Sequence, residues 1–189
     1  MGKLNNTKEA QLEQNLIDLL CARHGQWTFR PDLKTEEDLW NNLRNIIEIR
    51  NKSELNDNAL TDSEFERIQS EILAKTKTPF EAAKWLRGEK GKCSIVLERD
   101  NGLGRIELVI YSSNEKNGGF SSYEVVHQIA KSKSNLEERN RRFDVTLLIS
   151  GLPIIQIELK TAIAKDGVKQ AYYQIEKYID EGTFSNTIF

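Results

Sequence analysis

The run Arg141 to Lys160, RRFDVTLLISGLPIIQIELK, constrains this chain more than any other stretch. It reads as two β-strands joined by a tight turn. Phe143, Val145, Leu147 and Ile149, then Ile155, Ile157 and Leu159, form one apolar set. Asp144, Thr146 and Leu148, then Gln156, Glu158 and Lys160, form the alternate set. Strand side chains alternate faces with period two, so the apolar set builds one face and Asp144, Glu158 and Lys160 share the other. Both sets keep their sides only if paired residues have numbers that sum to an even value. Phe143 opposite Leu159 then goes with Asp144 opposite Glu158. The connection through Gly151 and Leu152 must be odd in length or carry a bulge, because a slip of one residue turns every side chain over.

Composition sets the frame for that hairpin. The 189 residues suit one ordinary domain with a helical subdomain, and the 38% hydrophobic share is enough for a core. Net charge is −2, so any nucleic-acid surface must be a local patch. Cys21 and Cys93 form no CxxC and read as reduced packing residues of a cytoplasmic protein. With only His24 and His127, a His/Cys zinc site is not expected. Both histidines read as ordinary fold residues, and neither a membrane span nor a signal peptide is evident. The closing Thr187-Ile188-Phe189 resembles the start of a strand, and a longer protein is expected.

Helices are predicted over Thr7–Gly25, from Thr35 to about Arg50, and from Thr61, where Glu64 completes a capping box. Thr78-Pro79 opens a fourth that ends near Gly88. The stretch from Gln26 to Lys34 reads as a connector. Strands are predicted at 94–98 and 106–111, joined by Asp100-Asn101-Gly102-Leu103-Gly104, and at Tyr123–Ile129. A last helix covers Asp166–Asp180. The domain is therefore expected to be α/β: a central mixed sheet of about five strands flanked by helices. Residues 35–90 form a helical insertion, and 91–189 carry the sheet and catalytic core.

Asp144 and Glu158 can supply the carboxylates that a hard cation such as magnesium prefers, with the Leu159 carbonyl as a further oxygen. Lys160, two residues past Glu158, can orient an attacking water and offset charge on a phosphodiester. The plain alternative is a solvated strand face with a surface ion pair. Gln174 and Tyr178, four apart on the last helix, share one helix face and can look back at the lysine end of the strand.

These motifs, N-R-R-F-D-V-T-L-L-I-S-G-L-P-I-I-Q-I-E-L-K and then Q-A-Y-Y-Q-I-E-K-Y, resemble the nuclease domain of type I restriction enzyme R subunits. That resemblance implies a restriction-endonuclease-like PD-(D/E)xK nuclease with a QxxxY motif, similar to RecB-like nucleases. Asp144 matches the motif acid, Glu158 and Lys160 the ExK, and Gln174 with Tyr178 the QxxxY. Phe143-Asp144 stands where the motif name has Pro-Asp. The first helix also resembles the family's, with Glu13 at an acid near the metal site.

The resemblance further implies magnesium, double-stranded DNA, and methyltransferase (M) and specificity (S) subunits as partners, in the cytoplasm. Gln174 and Tyr178 would orient Lys160 and the DNA backbone. ATP is implied only for motor domains outside this chain: Gly88-Glu-Lys-Gly-Lys-Cys lacks the spacing and the Ser/Thr of a phosphate loop. Lys131, Lys133, Arg139, Arg141 and Arg142 form a basic run before Asp144. Arg141 and Arg142, with Lys165 and Lys169, are the candidate phosphate contacts. Tyr172, Tyr173 and Trp85 read as packing residues. Another RecB-like nuclease, or a non-catalytic DNA-binding or docking domain of the same fold, are the alternatives.

Overall fold

The computed structural model describes residues 2–22, 25–113, 121–130, 142–160, 166–180 and 188; residues 2–7, 130, 142 and 180 are described by their backbone alone. In chain order the elements are α1 (Gly2–Leu20), β1 (Thr28–Phe29), α2 (Glu36–Arg50), α3 (Asp62–Lys75), α4 (Pro79–Arg87), β2 (Lys92–Glu98), β3 (Arg105–Ser112), β4 (Tyr123–Ala130), β5 (Arg142–Ile149), β6 (Leu152–Ile157) and α5 (Gly167–Asp180). They fall into two compact units. The first comprises residues 1–39, 122–184 and 189; the second comprises 40–121 and 185–188.

A four-stranded mixed sheet in the order β1-β4-β5-β6 organises the first unit. β1 pairs in parallel with β4, and the other pairings are antiparallel. β1 lies inside the stretch read as a connector. It is only two residues long and has no periodicity to betray it. On one face Ile17 of α1 packs with Val125, Val145 and Leu147, bordered by Leu16, Leu20, Phe29, Ile157 and Leu159. Thr146 and Leu148 of β5 are buried as well, as befits a strand with neighbours on both sides.

The β5–β6 hairpin obeys the parity argument. Val145 faces Ile157, Thr146 faces Gln156 and Leu147 faces Ile155; then the register shifts, so that Leu148 faces Pro153 and Ile149 faces Leu152. The turn is the two residues Ser150 and Gly151, with φ of 53° and 78°. Two positive φ values match the right-handed twist of the flanking strands. An even turn alone would put the wrong residues together. The bulge at Ile154 restores the expected pairing before the strands reach Asp144 and Glu158.

In the second unit, β2 and β3 form a separate two-stranded antiparallel sheet. This corrects the expectation of a single sheet of about five strands. Alternation identifies a strand but does not say which sheet it joins, and these two are joined by their own tight turn at Asp100–Gly102. The helix starts follow the sequence. Thr61 Oγ1 accepts from the Glu64 amide, and Glu64 Oε2 accepts from the Thr61 amide at 2.9 Å. Thr78 accepts from the Glu81 amide, with Pro79 at the first helical position. Buried Asn51 pairs like a strand residue with Val109, accepting its amide at 2.7 Å and donating to its carbonyl at 3.0 Å.

Candidate active site

The site grows from the open end of the β5–β6 hairpin. Asp144 lies on β5, and Glu158, Leu159 and Lys160 follow directly after β6. Asp144 Oδ2 accepts a 2.8 Å hydrogen bond from the Leu159 amide. The acid of one strand is thereby tied to the chain that carries the other. The contact uses the Leu159 amide, so its carbonyl is the backbone oxygen left over. Glu158 Oε2 accepts from Gln174 Nε2 at 2.8 Å, while its Oε1 is buried and makes no hydrogen bond to a described residue.

Charge in this corner is poorly compensated. Burial pushes the Glu158 carboxyl up to about 7, and the negative Asp144 adds to the rise; Lys160 and, more weakly, the Asp144 backbone oppose it. Burial also raises Asp144, helped slightly by Glu13, against the Leu159 amide and Lys160. Asp144, Glu158 and Lys160 are all half-buried. Lys160 forms no ion pair with a described residue, so its ammonium acts on the two acids from beyond contact distance.

The residues fit a divalent cation. Each acid has one oxygen held by a protein donor. A buried carboxylate oxygen without a donor is costly unless a cation or proton meets it. Among the described residues no three His, Cys, Asp or Glu side chains converge as a ready cage. Two carboxylates with waters and a substrate phosphate are the set magnesium takes, rather than a closed protein cage.

α5 presents Gln174 and Tyr178 on one face, as their spacing requires. Gln174 Nε2 donates to Glu158 and also to the Tyr178 hydroxyl at 2.6 Å. Tyr178 is 4% exposed and packs edge-on to Phe143, with centroids 5.7 Å apart. The helix pair thus braces Glu158, where the sequence pointed to Lys160. An amide N–H can bond a carboxylate and has nothing to gain from an ammonium.

Glu13 is 8% exposed, although it stands on a helix of mixed polarity. It occupies the buried stripe of α1 with Leu16, Ile17 and Leu20, whereas Leu19 is exposed. Its Oε1 lies 2.5 Å from His127 Nδ1, and its Oε2 accepts from Gln128 Nε2 at 2.7 Å. His127 Nε2 lies 3.3 Å from Lys34 Nζ, and its ring stands edge-on to Phe29. His127 and Gln128 were not recognised from the sequence as site residues. Their one signal is a polar pair inside the apolar run VVHQIA.

Of the candidate DNA contacts, Lys169 is exposed, with Nζ 5.7 Å from the Tyr173 ring centroid. Arg141 and Lys165 lie outside the described residues, as do Lys131, Lys133 and Arg139, and the Arg142 side chain is not described. Tyr172 and Tyr173 are 58% and 54% exposed, which corrects their reading as packing residues. The inward face of α5 is taken by Gln174 and Tyr178. Cys21 and Cys93 are free thiols. No helix among the described residues is long and apolar enough to cross a membrane.

The family described as type I restriction enzyme R protein N terminus matches residues 6–188. The endonuclease subunit of the type I restriction enzyme SauCOLORF180P from Staphylococcus aureus (strain COL) is 30% identical over 149 residues, which is 79% of this chain and 14% of the relative. The SsaAORF53P subunit from Staphylococcus saprophyticus is 30% identical over 146 residues, 77% of this chain and 14% of the relative. The EcoprrI subunit from Escherichia coli is 37% identical over 89 residues, 46% of this chain and 26% of the relative. The chain therefore spans about one seventh of the length of the staphylococcal relatives. With a match over nearly its whole length, the chain belongs to the type I restriction enzyme R protein N-terminal family.

Proposed function

We propose that this chain is a magnesium-dependent endonuclease domain of the PD-(D/E)xK type, which hydrolyses DNA phosphodiesters as part of a type I restriction enzyme R subunit. One observation carries the reading: Asp144, Glu158 and Lys160 meet at one end of a hairpin, with a buried Glu158 oxygen that accepts from no described residue. The relatives, each named as an endonuclease subunit of a type I restriction enzyme, support it.

Asp144 and Glu158 would hold the cation, with the Leu159 carbonyl as a further donor. Bound there, magnesium would polarise the phosphate and make a water more acidic. Gln174 fixes the Glu158 carboxylate by holding Oε2, and Tyr178 fixes Gln174. The Leu159 amide fixes Asp144. Lys160 orients the attacking water and offsets the negative charge that grows on the phosphate as the water oxygen bonds to phosphorus and the P–O ester bond breaks. Exposed Lys169 would meet backbone phosphate.

The substrate would be double-stranded DNA, and target choice would lie with partner methyltransferase and specificity subunits in the cytoplasm. The test is restriction of foreign DNA by the full complex carrying Lys160→Ala. Cutting should stop while ATP-driven translocation continues. A Lys160→Ala complex that still cuts at the parental rate would overturn the reading.

A further inference from the structure

The Glu13 corner is built from α1 and β4 rather than from the hairpin, and its geometry breaks a rule. His127 and Gln128 are consecutive residues of β4, and consecutive strand residues point to opposite faces. Both nevertheless reach the same carboxylate, one at each oxygen of Glu13. The backbone explains how: Gln128 has φ of 53°, in the left-handed region. The β4–β5 ladder runs from His127–Val145 to Ile129–Phe143 with Gln128 unpaired between them. The reversal is thus confined to one residue, and the residue across from it on β5 is Asp144.

Glutamine has no local reason to adopt this conformation, which single glycines, and at times Asn or Asp, visit routinely. Such a residue persists where its surroundings over-determine it, and such places cluster at functional sites. Two independent observations coincide at Gln128: a left-handed backbone in mid-strand, and a side-chain amide bound to a buried acid. That acid lies near enough to Asp144 to raise its pKa. His127 completes the grip, backed by Lys34 and Phe29.

We propose that Gln128 is a positioning residue of the cation site: its reversed backbone carries its amide onto Glu13 and fixes that carboxylate as a third negative charge beside Asp144. In this role Glu13 strengthens cation binding through its field, with its oxygens held by protein donors. The inference rests on the metal-dependent reading of Asp144 and Glu158.

The test is calorimetric binding of Mn2+ to the full chain without DNA. It compares the wild type with Gln128→Ala, Glu13→Gln and the double variant. Outer partners of metal ligands typically change affinity on the order of 10-fold or more when removed. Gln128→Ala should weaken Mn2+ binding by about that factor, and Glu13→Gln should weaken it too. The double variant should bind no more weakly than Glu13→Gln alone, because the amide acts through the carboxylate.

Gln128→Gly separates side chain from backbone. Glycine takes the left-handed conformation freely and so keeps the strand path, but it has no amide. It should lose the same affinity as Gln128→Ala while melting as a cooperative fold. Wild-type affinity in either variant, or fully additive losses in the double variant, would overturn the positioning role and leave the nuclease reading intact. A wild-type chain that takes up no Mn2+ would overturn both.

Discussion

Two glutamates in this chain are removed from water in opposite ways. Glu64, in the second unit, is 0% exposed. Its oxygens accept from Arg99 Nε at 2.7 Å, the Asp100 amide at 2.8 Å and the Thr61 amide at 2.9 Å. Burial pushes its carboxyl up, but Arg99 and the two amides outweigh burial and hold it below its ordinary value. Glu158, in the first unit, is less buried but worse served: among the described residues it has one side-chain amide donor, a neighbouring acid, and an oxygen with nothing to accept from. A carboxylate whose partners are all built in stabilises a fold. One left short of partners stores a need that a bound cation can meet, which is why shifted groups gather at functional sites.

That contrast can be broken most severely at the chemistry. Glu158→Ala in the full complex should lower DNA cleavage on the order of 10²–10³-fold, as loss of a key electrostatic group does elsewhere. The measure is the initial rate on circular duplex at saturating magnesium. An undiminished rate would place Glu158 in the same structural class as Glu64.

The next largest effect should appear in stability. Arg99→Ala leaves a buried, unpaired Glu64 and should destabilise the chain by about 3–5 kcal/mol, read by urea unfolding. A loss below ~1 kcal/mol would mean that the Glu64 network is replaceable by water.

The two glutamates should also answer pH with opposite signs. Glu158 has its folded pKa raised from 4.5 to about 7. The folded state therefore keeps a proton that the unfolded state has lost between those values. Its contribution is most favourable below the ordinary carboxylate range and is lost as pH rises through about 7. The full shift corresponds to about 3 kcal/mol, and solvent reaching a half-buried group reduces this to ~1–2 kcal/mol. Without divalent cations, Glu158→Gln should therefore raise the melting temperature at pH 8 and leave it nearly unchanged at pH 4.5. Glu64 has a lowered pKa, so its contribution is present above the ordinary range and fades as pH falls below it. A melting temperature for Glu158→Gln that stays below wild type at pH 8 would contradict the unmet need at that residue.

The smallest effect sharpens the helical side of the comparison. Thr61→Ala removes the cap that also presents its amide to Glu64, and should cost ~1 kcal/mol. If Arg99→Ala has already broken the network, the same change should cost a different amount, because the two share Glu64.

Much of this was legible beforehand, and the residues show why. Thr61, Thr78 and Pro79 announce helix starts through local bonds that need no tertiary context. Asp144, Glu158 and Lys160 follow from a parity rule that holds for any hairpin with one apolar face. Gln174 and Tyr178 follow from helical spacing, although their partner does not: spacing gives a face, and only packing decides that the amide meets Glu158. β1 was missed because Thr28 and Phe29 are too few to show a period. The β2–β3 hairpin was assigned to the wrong sheet because alternation is blind to neighbours. His127 and Gln128 fell within the predicted strand Tyr123–Ile129, but a left-handed residue inside a strand sends its side chain to a face that alternation does not foretell. Glu13 left a readable trace, an acid in line with Leu16, Ile17 and Leu20.

The bulge at Ile154 has a consequence for how this protein tolerates change. It lies between the hairpin tip and the end that carries the acids. A relative could gain one residue beside Ser150 and Gly151, drop the extra one at Ile154, and still bring Val145 against Ile157. Length variation at the tip can thus drift freely, so long as it is matched within the same few positions, while the distance between Asp144 and Glu158 is inherited unchanged.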